Sequence, residues 1–482
     1  MNPRTTAILF VVAAALGAFV WLYELEGEEG RKAAEESSKR LFPAVEAEAV
    51  EWISLTTADG HPARLERQPQ GGWRLTAPIA FPADAFAADG IASALAQLAS
   101  ESSWAEPQPP EVYGLGEGAS EIAFSAAGQE HRVRLGGKTP MGGNTYVSVG
   151  GAKSVHAVRA YRVTALSKRL DELRDKRIVD FATDRVDALR VRWPGGSVAL
   201  AREGGVWKVR EPVEGKADAA TVDSVLSNLS FLRASGFVDA VLPDAESGLD
   251  APELEVELEL APEKEGGEKR HVALAMGKPQ ASGERLVRSG AGPLFRVPAA
   301  RIDDTPRALV AYRFKDLSAF AAEGARRVEM SFRAPDGSAV AITATRDDEG
   351  EWSSAPEAMD PEKIRTLVDE LARLRARDIL ADAMGPEELR GVGLEPPNAT
   401  LLVRGEDANA ALAEVRLGVV REGGGIVAQA AGTPMVYELD PALAEYLPAS
   451  LDAFRTRFVK KPEPPPAGAS AEAPAEGDAQ AP

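Results

Sequence analysis

The residues best suited to acid–base chemistry near neutral pH are the histidines, and this chain of 482 residues contains four of them. They are His61, His131, His156 and His271. His131 and His271 stand at nearly matching places, five and six residues before Gly136 and Gly277. A hydrolase would need such a histidine pair, or two carboxylates, to converge in one cleft. Because the spacing does not select two of the 74 acidic residues, we assign no catalytic residue.

The segment Gly136-Gly137-Lys138-Thr139 resembles the end of a phosphate-binding loop. The full motif requires a glycine where Arg132 stands, and a helix after the threonine, where the sequence reads Met-Gly-Gly-Asn. We therefore interpret it as a hairpin turn. The chain has no cysteine, which excludes disulfides, thiol nucleophiles and cysteine-ligated metals. The sequence predicts no catalytic residue, no cofactor and no metal site.

Composition narrows the class of protein further. An apolar fraction of 44% and a charged fraction of 27% are typical of a folded globular chain. The length suits about three domains of ordinary size. A net charge of -19 repels phosphate backbones, so nucleic acid is not an expected partner.

An uncharged apolar segment stands near the amino terminus, at residues 7–23 (AILFVVAAALGAFVWLY). With its margins it reaches about 20 residues, enough to cross a bilayer as a helix. Arg4 precedes it and four glutamates follow within residues 24–29, which predicts a cytoplasmic amino terminus and an extracytoplasmic bulk. We expect a single-pass inner-membrane anchor over residues 1–25. A cleaved signal peptide is the alternative interpretation.

The rest of the chain contains three copies of one unit. Trp73 recurs 134 residues later as Trp207, and Trp207 recurs 145 residues later as Trp352. A Gly-Leu pair recurs at the same two spacings, and an arginine closes each copy. These further markers are Gly114, Leu115, Gly248, Leu249, Gly393, Leu394, Arg174, Arg313 and Arg455. The predicted organisation is an anchor (1–25), a charged stalk (26–40), repeat domains at 41–179, 180–318 and 319–458, and a disordered Pro/Ala/Glu-rich tail (459–482).

Each copy combines an amphipathic helix with alternating strands. The three helices repeat apolar residues at offsets of 0, 3, 4, 7 and 10, starting from Ala88, Val222 and Ile364. An aspartate precedes each helix as a cap or first-turn acid, at Asp84, Asp218 and Asp360. The flanking segments alternate apolar and polar residues, which predicts antiparallel sheet with one buried face. The predicted fold is α+β: an N-terminal transmembrane helix and three tandem antiparallel-sheet-plus-helix domains.

The markers also have structural interpretations. The glycine of each Gly-Leu pair permits a positive φ at the turn into a strand, and the leucine is expected to be buried in the core. The tryptophans are expected to pack between sheet and helix.

The ordered set of anchor, tryptophan segment, Asp-capped helix, Gly-Leu turn and closing arginine resembles the domain-of-unknown-function 4340 family. The resemblance covers roughly residues 1–459, and it is looser in the third copy around Glu351-Trp352-Ser353-Ser354. It implies a gene neighbourhood with the permease and ATPase of an ABC transporter similar to the gliding-motility auxiliary system. The resemblance supplies no catalytic residue.

Three functions follow as hypotheses. The first is a non-enzymatic extracytoplasmic scaffold or auxiliary subunit of such an envelope complex, with the membrane and a transporter permease or other envelope proteins as partners. The second is a periplasmic protein that captures peptide or glycan between repeats. The third is an envelope hydrolase.

Overall fold

The structure is a computed structural model that describes residues 37–150, 153–262, 264 and 266–460. The predicted anchor lies outside the described residues, as do most of the stalk and residues 461–482 of the tail. Within the described ranges, no helix is both long enough and apolar enough to cross a membrane.

The first repeat is built on a nine-stranded sheet with the order β4-β3-β2-β1-β6-β7-β8-β9-β5. Its strands are β1 (Val50–Thr56), β2 (Pro62–Arg67), β3 (Trp73–Ala77), β4 (Phe81–Pro82), β5 (Ser102–Trp104), β6 (Ser120–Ala126), β7 (Gln129–Lys138), β8 (Asn144–Val149) and β9 (Val155–Arg159). Its helices are α1 (Ala85–Ala96), α2 (Ala160–Leu166) and α3 (Leu170–Leu173), with short 3-10 helices at Ala47–Ala49 and Pro110–Tyr113.

The second sheet also has nine strands, in the equivalent order β13-β12-β11-β10-β15-β16-β17-β18-β14. Its strands are β10 (Val186–Trp193), β11 (Gly196–Glu203), β12 (Val206–Glu211), β13 (Gly215–Lys216), β14 (Gly236–Val238), β15 (Leu254–Leu260), β16 (Arg270–Met276), β17 (Glu284–Ser289) and β18 (Leu294–Pro298). The helices are α4 (Ala219–Ser230), α5 (Asp244–Ser247), α6 (Ala300–Asp303) and α7 (Leu309–Tyr312), with a 3-10 helix at Thr183–Arg185.

The third sheet has eight strands in the order β21-β20-β19-β23-β24-β25-β26-β22, without a counterpart of the two-residue strands β4 and β13. Its strands are β19 (Arg327–Arg333), β20 (Ala339–Arg346), β21 (Trp352–Ala355), β22 (Asp378–Ala381), β23 (Ala399–Arg404), β24 (Ala411–Val420), β25 (Ile426–Ala430) and β26 (Val436–Leu439). The helices are α8 (Pro361–Ala372), α9 (Pro386–Gly391) and α10 (Leu451–Arg457), with 3-10 helices at Ala322–Gly324 and Pro441–Glu445.

In repeats 1 and 3, one face of the sheet and the long helix share one hydrophobic core. In β15 the sequence LEVELEL alternates, and Leu254, Val256, Leu258 and Leu260 are buried. The predicted apolar stripes of α1, α4 and α8 are buried as well. Every residue of the three stripes is at most 3% exposed. The prediction of an α+β chain with repeated antiparallel sheets and helices is therefore confirmed.

The chain divides into two compact units. The first comprises the described parts of Met1–Ala182, Asn228–Glu253 and Val272–Asp303. The second comprises those of Thr183–Ser227, Leu254–His271 and Asp304–Pro482. The passage from repeat 1 to repeat 2 lies inside the first unit, and the passage from repeat 2 to repeat 3 lies inside the second. The boundaries of the three domains stay a prediction.

Candidate functional site

The three marker tryptophans occupy equivalent places in the sheets. Trp73 begins β3, Trp207 is the second residue of β12, and Trp352 begins β21; all three are buried. The Trp73 indole N–H donates to Asp89 on α1 over 2.8 Å. This bond ties the third strand of the first sheet to its helix.

The Gly-Leu markers also lie at matching turns. Gly114, Gly248 and Gly393 have φ values of 70°, 71° and 70°, the left-handed region that favours glycine. The leucine after each glycine is buried: Leu115, Leu249 and Leu394.

The Gly136-Gly137-Lys138-Thr139 segment lies at the end of β7 and in the hairpin to β8. Its glycines permit a close approach of backbone. A Cβ on Gly136 would come 2.4 Å from the carbonyl oxygen of Tyr113, and a Cβ on Gly114 would come 2.8 Å from the amide nitrogen of Gly137. The glycines in this segment, which resembles the end of a phosphate-binding loop, therefore have a packing role.

Gly114→Ala is expected to lower the free energy of unfolding by about 2–3 kcal/mol, because the substitution adds a backbone clash to the strain of a left-handed alanine. Gly118→Ala is the matched control in the same loop, since its φ is 87° but nothing lies within 4 Å of the added Cβ. It should cost only the strain, about 1 kcal/mol. Thermal denaturation of both variants checks this, and equal losses would contradict the packing role.

The closing arginine of repeat 1 forms the first junction. Arg174 follows α3, is 1% exposed and binds Asp239 of repeat 2 with two hydrogen bonds of 2.9 and 3.0 Å. Its guanidinium lies 4.8 Å from the ring centroid of Phe237, and Asp171 lies 3.8 Å away. The backbone continues the contact, because Ala234 donates its N–H to the carbonyl of Lys176. A buried arginine and its carboxylate thus connect two repeats.

The second junction uses the equivalent residues. Arg313 binds Asp382, which follows β22 as Asp239 follows β14. Ala376 donates its N–H to Lys315, as Ala234 does to Lys176. An additional ion pair joins Arg375 of repeat 3 to Asp218, the cap of helix α4 in repeat 2.

The charge on Asp218 is stabilised although its side chain is only 2% exposed. Burial acts to raise its pKa, but the N–H of Thr221 and the guanidinium of Arg375 outweigh burial and lower the pKa below 3.8. Arg375 also binds Asp316 over 2.7 Å. Asp218 therefore serves as a helix cap and as half of a junction.

The positions of the junction aspartate and of the closing arginine differ in the first and third repeats, where no neighbouring repeat uses them. The residue after β5 in repeat 1 is Ala105, where repeats 2 and 3 carry Asp239 and Asp382. At the other end, Arg455 binds Glu357 within its own repeat, over 2.6–3.2 Å.

The four histidines have separate surroundings. His61 and His271 are exposed, and the His131 ring packs against Phe42 and Phe124. The His156 ring lies between the hydroxyl oxygens of Ser100 and Ser154, 3.1 Å from each, and burial lowers its pKa. Across the described residues, no group of three or more histidines or carboxylates has a geometry that could hold a metal ion.

The first repeat carries an open depression of about 640 Å³. It is lined mainly by the proline-containing loop after β5 and by Arg134, Lys153 and Ser154. The cluster of Trp104, Tyr113 and Tyr146 packs together near the same loop, with ring centroids 4.9–6.3 Å apart. None of these three rings lines the depression.

The junction acids Asp239 and Asp382 were missed by the sequence interpretation, which selected their partners Arg174 and Arg313. A signal was present, because these aspartates are 143 residues apart, within the range of the other marker spacings. Aspartate is too frequent in this acidic chain for that spacing to stand out.

Comparison with known proteins gives one family. The model of the family described as Domain of unknown function (DUF4340) matches twice, over residues 73–252 and 207–390. The matches begin at Trp73 and Trp207, and each spans one junction: Arg174 with Asp239 in the first, Arg313 with Asp382 in the second. No curated protein and no solved structure matches the chain. The unit that the family model describes therefore includes the connection between two repeats.

Proposed function

Because the chain belongs to the DUF4340 family, we propose that it is a non-enzymatic scaffold or auxiliary subunit of a bacterial envelope complex. In this proposal residues 1–25 hold it in the inner membrane, with the amino terminus in the cytoplasm and the repeats outside. The partner is the permease of an ABC transporter, or another protein of the same assembly.

The observation that supports a scaffold is the pair of junctions. Each places a closing arginine against an aspartate of the next repeat, and Arg174 and Arg313 have 2% and 13% of their side chains exposed. Such contacts resist bending between neighbouring repeats, whereas a plain linker would permit it. Repeats coupled in this way present related surfaces to protein partners. The transporter is proposed as the partner because the resemblance to the family implies a gene neighbourhood with a permease and an ATPase.

The membrane attachment is proposed from the apolar residues 7–23 and the charges on either side of them.

Affinity purification after gentle detergent extraction tests the proposal. The permease and ATPase subunits are expected to co-purify with the tagged full chain well above an untagged background. A matched chain lacking residues 2–25 should lose them, because it is no longer held beside the permease. Recovery of neither subunit above background from the full chain would contradict the proposal.

A second candidate is the capture of a peptide or glycan, which the depression of about 640 Å³ favours. None of the described residues that line it is aromatic, so stacking against sugars has no support there. A thermal-shift screen of the full chain with envelope fragments separates the candidates. A flat response across the library would eliminate this one.

A further inference from the structure

The hairpin between β7 and β8 carries a fully exposed methionine at its turn. The side chain of Met141 is 100% exposed, and that of Tyr161, the second residue of α2, is 61% exposed. Both lie at one end of the sheet, because Ala160 donates its N–H to the carbonyl of Gly143 over 2.8 Å. We call this end of repeat 1, residues 139–143 together with Tyr161, the hairpin tip.

The other repeats form the same turn with small or polar residues. In each repeat a glycine closes the turn by donating its N–H to the carbonyl three residues earlier: Gly142 to Thr139, Gly283 to Gln280 and Gly424 to Arg421. The residue before that glycine is Met141 in repeat 1, Ser282 in repeat 2 and Gly423 in repeat 3. By strand register, Tyr161 corresponds to Ala300 of repeat 2. The turn therefore does not require methionine, and the start of α2 does not require tyrosine.

The chain enters repeat 1 at the same end of the sheet. The carbonyl of Lys39 accepts the N–H of Ser100 over 2.8 Å, and the next residue, Glu101, binds Arg159 over 2.6 Å. Arg159 stands two residues before Tyr161. Residues 24–38 join this entry point to the apolar segment 7–23, and a chain of that length reaches at most about 50 Å. An anchor at residues 1–25 therefore keeps the entry point, and the hairpin tip beside it, close to the bilayer.

The residue types of the hairpin tip suit the interfacial layer of a bilayer. A tyrosine ring combines an apolar body with a polar hydroxyl and is enriched at headgroup level, and a methionine side chain is apolar and flexible. Residues 139–144 (TPMGGN) contain no carboxylate that an anionic lipid surface would repel, whereas the corresponding segments of repeats 2 and 3 contain Glu284 and Glu422. Two side chains suffice for a useful contact, because the tether raises the local concentration of the membrane.

From this arrangement we propose that the hairpin tip of repeat 1 lies in the headgroup layer of the membrane, with Met141 and Tyr161 in contact with lipid. The contact sets the orientation of repeat 1 relative to the bilayer, which an anchor on a connecting segment leaves free. This inference rests on the membrane anchor of the proposed function, but it does not depend on the transporter partner.

Fluorescence of a single labelled cysteine tests the contact, since the chain has no cysteine of its own. The full chain with Pro140→Cys carries an NBD fluorophore beside Met141, and Ala281→Cys is the matched control at the equivalent turn position of repeat 2. Both are reconstituted into vesicles of phosphatidylethanolamine and phosphatidylglycerol. We expect a doxyl label near the lipid headgroup to remove most of the emission at position 140 and to leave that at position 281 unchanged.

Adding Met141→Ser/Tyr161→Ala to the Pro140→Cys chain gives the hairpin tip the residues of repeat 2, and it should abolish the quenching by lipid. Circular dichroism verifies that each variant is folded. Co-flotation with the vesicles separates this test from that of the anchor. A chain that does not float with lipid contradicts the anchor and this inference together.

Two outcomes in a chain that floats would overturn the hairpin contact alone. One is equal quenching by lipid at positions 140 and 281, or quenching that survives Met141→Ser/Tyr161→Ala. The other is protection of position 140 from aqueous iodide without quenching by the doxyl lipid, which would assign the hairpin tip to a second copy of the chain.

Discussion

Asp218→Ala is expected to destabilise the second junction by about 2–4 kcal/mol, because it removes a helix cap and a buried partner of Arg375 together. The local readout is hydrogen exchange at the amide of Ala376, which bonds to Lys315 across the junction. Its protection should fall together with that of helix α4.

Asp84→Ala is the control that the chain itself offers. Asp84 caps α1 by accepting from the N–H of Ala87 over 2.8 Å. No ion pair among the described residues joins Asp84 to an arginine. Removing its side chain should therefore lower the free energy of unfolding by about 1 kcal/mol, the ordinary value of a cap. If both variants lost the same stability, the Asp218–Arg375 pair would contribute nothing to the junction.

The same group gives the second junction a pH dependence. The pKa of Asp218 is lower in the folded chain than its ordinary value of 3.8. Its contribution is therefore fully present at higher pH and is lost as the pH falls through the folded pKa. Below about pH 4 the wild type should lose protection at Ala376, whereas Asp218→Ala should lose that part of the dependence.

Asp239→Ala is expected to destabilise the first junction by about 2–3 kcal/mol, because it leaves the guanidinium of Arg174 buried without its carboxylate. The loss is smaller than for a fully buried pair, since Asp239 itself is half-exposed and Asp171 remains nearby. The amide of Ala234, which bonds to Lys176, gives the local readout by hydrogen exchange.

Adding Arg174→Met to the Asp239→Ala variant should recover part of the loss, because it removes the uncompensated charge. Glu357→Ala breaks the pair with Arg455, whose side chain is 53% exposed, and should cost less than about 1 kcal/mol. An Asp239→Ala variant as stable as Glu357→Ala would show that burial of Arg174 is unimportant at the junction.

Much of the fold could be predicted from the sequence because local sequence patterns determine the helices and strands of the repeats. The stripes starting at Ala88, Val222 and Ile364 depend on helical periodicity, and strands such as Leu254–Leu260 depend on alternation. Both signals come from residues a few positions apart. Gly114, Gly248 and Gly393 likewise require only the backbone conformation of one residue.

The junctions could be predicted only in part. The closing arginines recur at regular spacing, but the sequence does not say what they bind, because their partners lie 65 and 69 residues away. These pairs depend on tertiary contacts that periodicity does not encode.

We propose that a membrane anchor holds the repeats on the outer side of the bilayer, and the location of the two chain ends tests this most directly. The chain contains no cysteine, so a single introduced thiol reports its own location. In intact spheroplasts that produce the full chain, a membrane-impermeant maleimide should label Ser470→Cys in the tail at once. Asn2→Cys should react only after the membrane is permeabilised. The opposite pattern, or protection of both positions until lysis, would contradict the account.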